Sequence, residues 1–255
     1  MESTTVKQVA STMRSLGRAL DVLHILQLSR VPQRLSDISR ESGLHLATTQ
    51  RILHVLVERG YVTQDGLGYS MGITSLLNSH TYLVSNSLNR ASLPILQELT
   101  ASTGLTSSLS VRVDFAQVLL VRIESLPPLR YRLPVGEQMP LYLGGARVLA
   151  AALEPDRLNE LLEDLFEIRL ASGRVVSREE FIEGLELIRR QGYAYGYSQR
   201  ENGAASVAVP VLDREGEVLA SLQLSGLVED FEQSKVEWYV AELKRACAAI
   251  TRGLP

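Results

Sequence analysis

An α+β fold in two parts is what this sequence predicts, on three observations. The first 73 residues carry, in order, a helical pattern, a short helix, a turn, a second helix and two short strand-like runs around Asp65-Gly66. Residues 74–104 are helical throughout. From residue 105 the period changes to alternation or short apolar runs, interleaved with further helices. Together these predict a loose tail at 1–13, a winged helix-turn-helix at 14–73, a helical linker at 74–104, and an antiparallel sheet with helices at 105–255.

Each element has its own local reason. Residues 1–13 are Ser/Thr-rich and unpatterned, as a tail should be. Ser15 precedes a helix in which Leu16, Ala19, Leu20, Leu23 and Leu26 share a face, and "SRVPQR" breaks it. Ser36 is placed to cap a short helix that turns Ile38 inward and ends at Gly43. In the next helix Thr49, Ile52, Leu53 and Leu56 form the inner stripe, and Gly60 follows as the terminating glycine. Tyr61–Thr63 and Tyr69–Met71 then read as a hairpin. Pro94 kinks or restarts the linker helix. Beyond it "LTSSLSVRV", "QVLLVRI" and "RYRLPV" read as strands, and "GGARVLAAAL" as a helix opened by glycines. Pro155 starts another helix, and "SREE" at 177–180 is a capping box for the one after. Strands "GYAYGYS", "ASVAVPVLD" and "EVLASLQLSG" and a final helix complete the chain.

Composition excludes several functions. With 45% hydrophobic and 22% charged residues in 255, the chain can bury a sizeable core. The net charge of -3 is unevenly spread: residues 1–73 hold eight Lys/Arg against six Asp/Glu, the rest eighteen against twenty-three. Any phosphate binding at the amino end therefore depends on placement more than on bulk charge. The single cysteine, Cys247, excludes an internal disulfide and a thiolate metal cage, and its apolar helical setting predicts core packing. All four histidines precede residue 81, so a Ser-His-Asp, Cys-His or His-rich metal site in the larger part is excluded. No apolar run approaches the ~20 residues of a membrane span, and the amino end lacks an apolar signal core. A cytoplasmic location with no membrane contact is expected.

Two faces invite a ligand. On the helix after Gly43, residues Ala47, Thr48, Gln50, Arg51 and His54 project away from the inner stripe, and no Asp or Glu occurs from 42 to 57. Such a face suits the DNA major groove: Arg51 can fork to guanine or phosphate, Gln50 can pair with adenine, and Thr48 can meet a phosphate or a thymine methyl. His45 at the entry turn joins this set, and Gln64 to Tyr69 of the wing would follow the backbone or minor groove. In "LGGARVLAA", Gly144, Gly145 and Ala146 open a helix, so the N–H groups of Gly145 and Ala146 are candidates to cradle a carboxylate. "GLGYSMG" at 66–72 only superficially resembles a dinucleotide motif, and a hairpin turn explains its glycines.

The order of elements, together with "SLGRALDVLHIL", "LSDISRESGLHLATTQRILHVLVERGYV", "PVGEQMPLYLGGARVLAA" and "IRRQGYAYGYSQRENGAASVAVPVLDREGEVLASLQLSG", resembles the IclR family of bacterial transcription regulators. The resemblance runs from Ser15 to about Gly253. It implies a DNA-binding domain joined by a helical linker to a GAF-like effector-binding domain, in dimers or dimers of dimers. It further implies a pocket for a small organic acid or aromatic metabolite. Gly196, Ser206, Gln223 and Ser225 match the polar positions of that pocket, and Leu133, Val135 and Leu143 its apolar wall. Here the acidic residue often found at the first of these positions is replaced by Gly196. Arg147 stands near the family's lysine, in a segment one residue shorter.

The sequence thus points to a DNA-binding regulator without catalysis, cofactor or metal. Its expected partners are a double-stranded operator, a small effector and a second copy of itself. Two rivals are a small-molecule enzyme carrying a winged-helix module and a protein-binding adaptor.

Overall fold

The computed structural model of the chain describes residues 2–126, 133–163, 165 and 167–255, with side chains from residue 13 onward. Two compact units divide between Val84 and Ser85.

The first unit runs α1 (Glu2–Leu28), α2 (Leu35–Ser42), α3 (Leu46–Glu58), β1 (Val62–Asp65), β2 (Gly68–Met71) and α4 (Ile73–Ser85). Its core joins Val22 and Leu26 of α1 to Ile38, Leu53, Leu56, Val62 and Tyr69. Each fully buried Leu or Ile contributes about 1.5–3 kcal/mol. Gly43 ends α2 in the left-handed region at φ 66°, and Gly60 follows α3 at φ 71°. β1 and β2 pair antiparallel from Val62↔Met71 to Asp65↔Gly68, and Gln33 adds one more rung by bonding Tyr69 through both backbone groups (2.9 and 2.8 Å).

Three local expectations need correction here. α1 begins at Glu2, so the segment read as a loose tail is helical, continuing the spacing of Val9, Met13, Leu16 and Leu20 upstream. Of the expected face, Leu23 and Leu26 meet the core, joined by Val22, whereas Leu16 and Leu20 are more than half exposed. The residue before α2 is Arg34, with no side-chain cap, and Ser36 lies inside the helix.

In the second unit, α5 (Ser87–Thr103) leads into β3 (Thr106–Val113), β4 (Ala116–Ile123) and β5 (Gln138–Pro140). A single 3-10 turn at Gly144–Ala146 opens α6 (Arg147–Ala151), followed by α7 (Pro155–Glu163). The short pair β6 (Glu167–Arg169) and β7 (Val175–Ser177) precedes α8 (Arg178–Gln191). Then come β8 (Ala194–Tyr197), β9 (Ala204–Leu212), β10 (Val218–Leu227) and α9 (Gln233–Arg252). Six strands form one antiparallel sheet in the order β5-β4-β3-β10-β9-β8.

The helical break falls at Asn86, whose side chain accepts from Asn89 N (2.9 Å), and Pro94 sits inside the uninterrupted α5. α5 packs on β3, β4 and α9, so the stretch expected to be one linker is divided between the two units. The strand expected at 130–135 lies partly outside the described residues, and residues 133–135 are not in a strand.

Alternation along the strands gives the sheet two unlike faces. Leu109, Leu222, Leu224, Val207 and Val209 are all buried, and the register puts them on the side where Ser107 Oγ reaches Leu96 O of α5 (2.9 Å). The other side carries Thr106, Ser108, Ser110, Ser206, Ala208, Ser221, Gln223 and Ser225. Toward β8 and β9 that second face is covered: Ala194 and Ala208 join a core with Leu141, Ala146, Val148, Leu149, Phe181, Leu185 and Ile188. Toward β3 and β4, among the described residues, it faces a cavity instead.

Candidate functional site

α3 presents the face that the sequence assigns to DNA. His45 precedes the helix, and its carbonyl accepts from Thr48 N (2.8 Å) and Thr49 N (3.0 Å). Thr49, Leu53 and Leu56 turn inward, which leaves His45, Ala47, Gln50, Arg51 and His54 exposed and Thr48 half-buried. His54 Nε2 lies 3.4 Å from Glu58 Oε1, so an acid closes the lower end of this face. At the wing, Asp65 Oδ1 accepts from Leu67 N (2.8 Å) and Gly68 N (3.1 Å). That bonding fixes the turn at Gly66-Leu67, one residue beyond the expected Asp65-Gly66. Gln64 is exposed, and Leu67 at the tip is 74% exposed. Tyr69, expected to meet DNA, is 9% exposed and belongs to the core of the unit. Alternation along β2, fixed by its pairing with Gln33, turns that ring inward.

The open part of the sheet in the second unit floors a cavity of about 1200 Å³. Five of the effector positions expected from the sequence line it: Leu133, Gly196, Ser206, Gln223 and Ser225. Ser206 and Ser225 are cross-strand partners, Gly196 pairs with Ser206, and Gln223 pairs with Ser108. Gln223 Nε2 donates to Ser225 Oγ (2.6 Å), which leaves the Ser225 proton for another acceptor. The wall further includes Ser108, Ser110, Gln117, Leu119, Arg122, Met139, Gln199 and Arg200. A register shift between Leu109 and Ser110 lets β4 present both Arg122 and Leu119 to this side. Arg122 donates from Nε to Glu124 (2.7 Å), and Arg200 reaches Met139 Sδ. The β8–β9 loop closes over the cavity and is held in place by bonds from Ala171 N to Gln199 O and from Ser172 N to Ser198 O, both 3.0 Å.

Comparison with known proteins decides the affiliation. The family model described as bacterial transcriptional regulator IclR C-terminal matches residues 80–252, and the IclR helix-turn-helix domain matches residues 15–66. The chain belongs to the IclR family. Its relatives include the HTH-type transcriptional regulator XynR of Escherichia coli K12, 29% identical over 95% of this chain and 97% of that one. Among solved structures, a putative transcriptional regulator from Rhodococcus sp. RHA1 is 26% identical, with a TM-score of 0.74 over 94% of this chain and 98% of that one. An IclR homologue of Microbacterium hydrocarbonoxydans complexed with 4-hydroxybenzoate shares the fold at 22% identity, TM-score 0.75, over 94% and 98% of the two chains. The protein is thus an IclR-type, DNA-binding transcription regulator. Among the described residues no helix is long and apolar enough to cross a membrane.

For this IclR-family chain, the remaining expected residues stand apart from the cavity. Ala146 is fully buried in the core beside α6 and α8, and Leu143 packs against that core. Val135 is about half exposed and is not on the cavity wall. Gly145 is buried behind Gln223, and its carbonyl accepts from Ser221 Oγ (2.9 Å). The glycine that does reach the wall is Gly144, whose N–H donates to Gln199 Oε1 (2.8 Å). Gly145 and Ala146 are both buried and neither is among the cavity residues, so the expected carboxylate cradle does not face the cavity.

Two positive side chains, Arg122 and Arg200, also line the cavity. Arg147 lies behind it, donating from Nε to Gly144 O (3.2 Å) and from Nη2 to Tyr195 O (2.6 Å). Burial lowers its guanidinium pKa to about 10. The missed polar residues carried one signal: the alternating Thr106, Ser108 and Ser110 on a strand whose other face is apolar.

Proposed function

We propose that this regulator reads its operator through His45, Ala47, Thr48, Gln50, Arg51 and His54 of the α3 face, with Gln64 and the wing tip on the flanking backbone. A small organic acid held in the cavity of the second unit modulates that binding. The observation carrying this reading is the half-open sheet: hydroxyl and amide side chains, where a core would have apolar ones, floor a cavity of about 1200 Å³. That a structural neighbour is complexed with 4-hydroxybenzoate supports a small acid as the effector. Ser206, Ser225 and Gln223 are the donors we assign to it, with Gly196 admitting it and Leu133 covering it.

The mechanism is linkage. An effector that binds one state of the protein better shifts operator affinity by its differential binding energy and nothing more. Catalysis is not part of the reading. The four histidines of the chain precede residue 81, and buried Cys247 is not among the cavity residues. Two copies of the chain acting together would place recognition helices on half-sites about 34 Å apart or a multiple of it, giving an operator with inverted repeats.

A thermal-shift screen of organic acids on the full chain, followed by operator titration with each stabilising acid, tests this. The expected result is an acid that raises Tm and alters operator affinity without being consumed. Turnover of the acid would overturn the reading in favour of an enzyme. Failure to retain DNA would favour an adaptor.

A further inference from the structure

The outer face of α3 carries apolar side chains where a purely solvated helix would be polar. Leu46, the first residue of the helix, is 51% exposed, Val55 is 50% exposed, and Ala47 is exposed as well. Leu44 packs against the core of the unit, whereas Leu46, two residues on, does not belong to it. A single exposed leucine on a polar surface would call for no explanation. Here the apolar groups stand among the hydrogen-bonding ones: Leu46 lies one turn before Gln50, and Ala47 one turn before both Gln50 and Arg51.

Three observations say which end of this face approaches DNA. His54 Nε2 pairs with Glu58 Oε1 (3.4 Å), so the carboxyl end carries an acid that phosphates repel. No Asp or Glu occurs from 42 to 57, which leaves the amino-terminal turns free of that repulsion. The exposed side chains of Gln50 and Arg51 bond no described residue, so their donors are available to base edges. The second helix of a helix-turn-helix enters the major groove by its amino-terminal residues. Leu46 and Ala47 therefore lead α3 into the groove.

Only one base offers a leucine anything there. Of the four base edges in the major groove, thymine alone presents an apolar group, its C5 methyl. Over cytosine, Leu46 would cover the N4 amino group and leave it with neither water nor partner; over a purine it would do the same to N7. Ala47 has a single methyl of its own, and so lets the helix come close enough for Gln50 and Arg51 to reach base edges. Four residues of helix rise about 6 Å, or about two base-pair steps of 3.4 Å.

We propose that Leu46, with Ala47 beside it, is a specificity-determining residue that selects thymine through its C5 methyl, about two base pairs from the bases read by Gln50 and Arg51. This rests on the reading of α3 as the recognition helix. It adds to that reading a base contact made without charge or hydrogen bond.

The test starts with the full chain selecting short duplexes from a random-sequence library. The tightest duplex is then remade with deoxyuridine for each thymidine in turn, which removes one C5 methyl and no hydrogen-bonding group. By fluorescence anisotropy, at least one position in each half-site should cost the wild type about three- to fivefold in affinity, the worth of one buried methyl. Leu46→Ala should bind the thymidine duplex several-fold more weakly and lose nothing further at that position. Its salt dependence should match the wild type, because a methyl contact releases no counterion. Leu46→Met, which keeps an apolar side chain of similar size, should keep the sensitivity to deoxyuridine, with circular dichroism confirming the fold of both variants. The proposal is overturned if no deoxyuridine substitution weakens the wild type, or if the loss persists undiminished in Leu46→Ala. A sequence preference that Arg51→Ala abolishes but deoxyuridine leaves untouched would refute the methyl contact while keeping α3 as the reader. Selection that yields no sequence preference would refute both.

Discussion

Gly145 and Gln223 leave no room between them for a side chain. A Cβ on Gly145 would overlap Oε1 of Gln223 and stand 2.8 Å from the Cβ of Ala208. Gly145→Ala is therefore expected to destabilise the second unit by about 1–3 kcal/mol, the usual cost of overpacking. Because Gln223 also holds Ser225, effector affinity should fall as well. Urea unfolding decides the first part, and a midpoint equal to that of the wild type would refute it.

Ser206→Ala separates binding from folding. The hydroxyl bonds no described residue, so removing it should leave Tm within experimental error. Loss of a donor to an acid oxygen should weaken the effector by about 1.5–3 kcal/mol, the range for a hydrogen bond to a charged group. Calorimetric titration giving wild-type affinity would take Ser206 out of the site.

Arg51→Ala should weaken operator binding by about 1–3 kcal/mol if the guanidinium reads a base, and the loss should be largest on the preferred sequence. Arg51 is exposed, so the fold should be indifferent to the change. Fluorescence anisotropy with operator and scrambled duplexes at fixed salt is the measurement. An equal loss on both duplexes would assign Arg51 to phosphate instead.

Cys247 gives a prediction in pH. Burial in α9 pushes its thiol up to about 12, so the folded protein holds that proton more tightly than the unfolded chain does. Its contribution to stability is full below about pH 8.5, the ordinary thiol value, and is lost as pH rises from there toward 12. The native thiol should accordingly react with Ellman's reagent at pH 8 no faster than the protein opens. Immediate stoichiometric reaction would contradict the burial.

What the sequence disclosed depended on how far apart the interacting residues lie. The inner stripe of α3 and the glycines that end α2 and α3 are set by neighbours within a turn or two, and the structure agrees with each. Tyr69 was misassigned because its direction is set by pairing with Gln33, thirty-six positions away. The polar floor was half legible. Serines of β9 and β10 were identified through the family resemblance, whereas Ser108, Gln117 and Arg122 depend on the β3 and β4 registers and on a bulge that no local pattern announces. A helix opening alone assigns Gly145 and Ala146 to the ligand, but tertiary packing buries both away from the cavity, Gly145 behind Gln223 and Ala146 in the core beside α6 and α8.

The cap at Asn86 bears on how such chains can be assembled in evolution. The second unit supplies the group that starts its own first helix, and the first unit keeps its core within residues 22–69. A genetic crossover between codons 85 and 86 would therefore hand each descendant a complete piece, with no helix cut and no core divided. A reader of one operator could in this way be regrafted onto a sensor of a different metabolite by recombination alone.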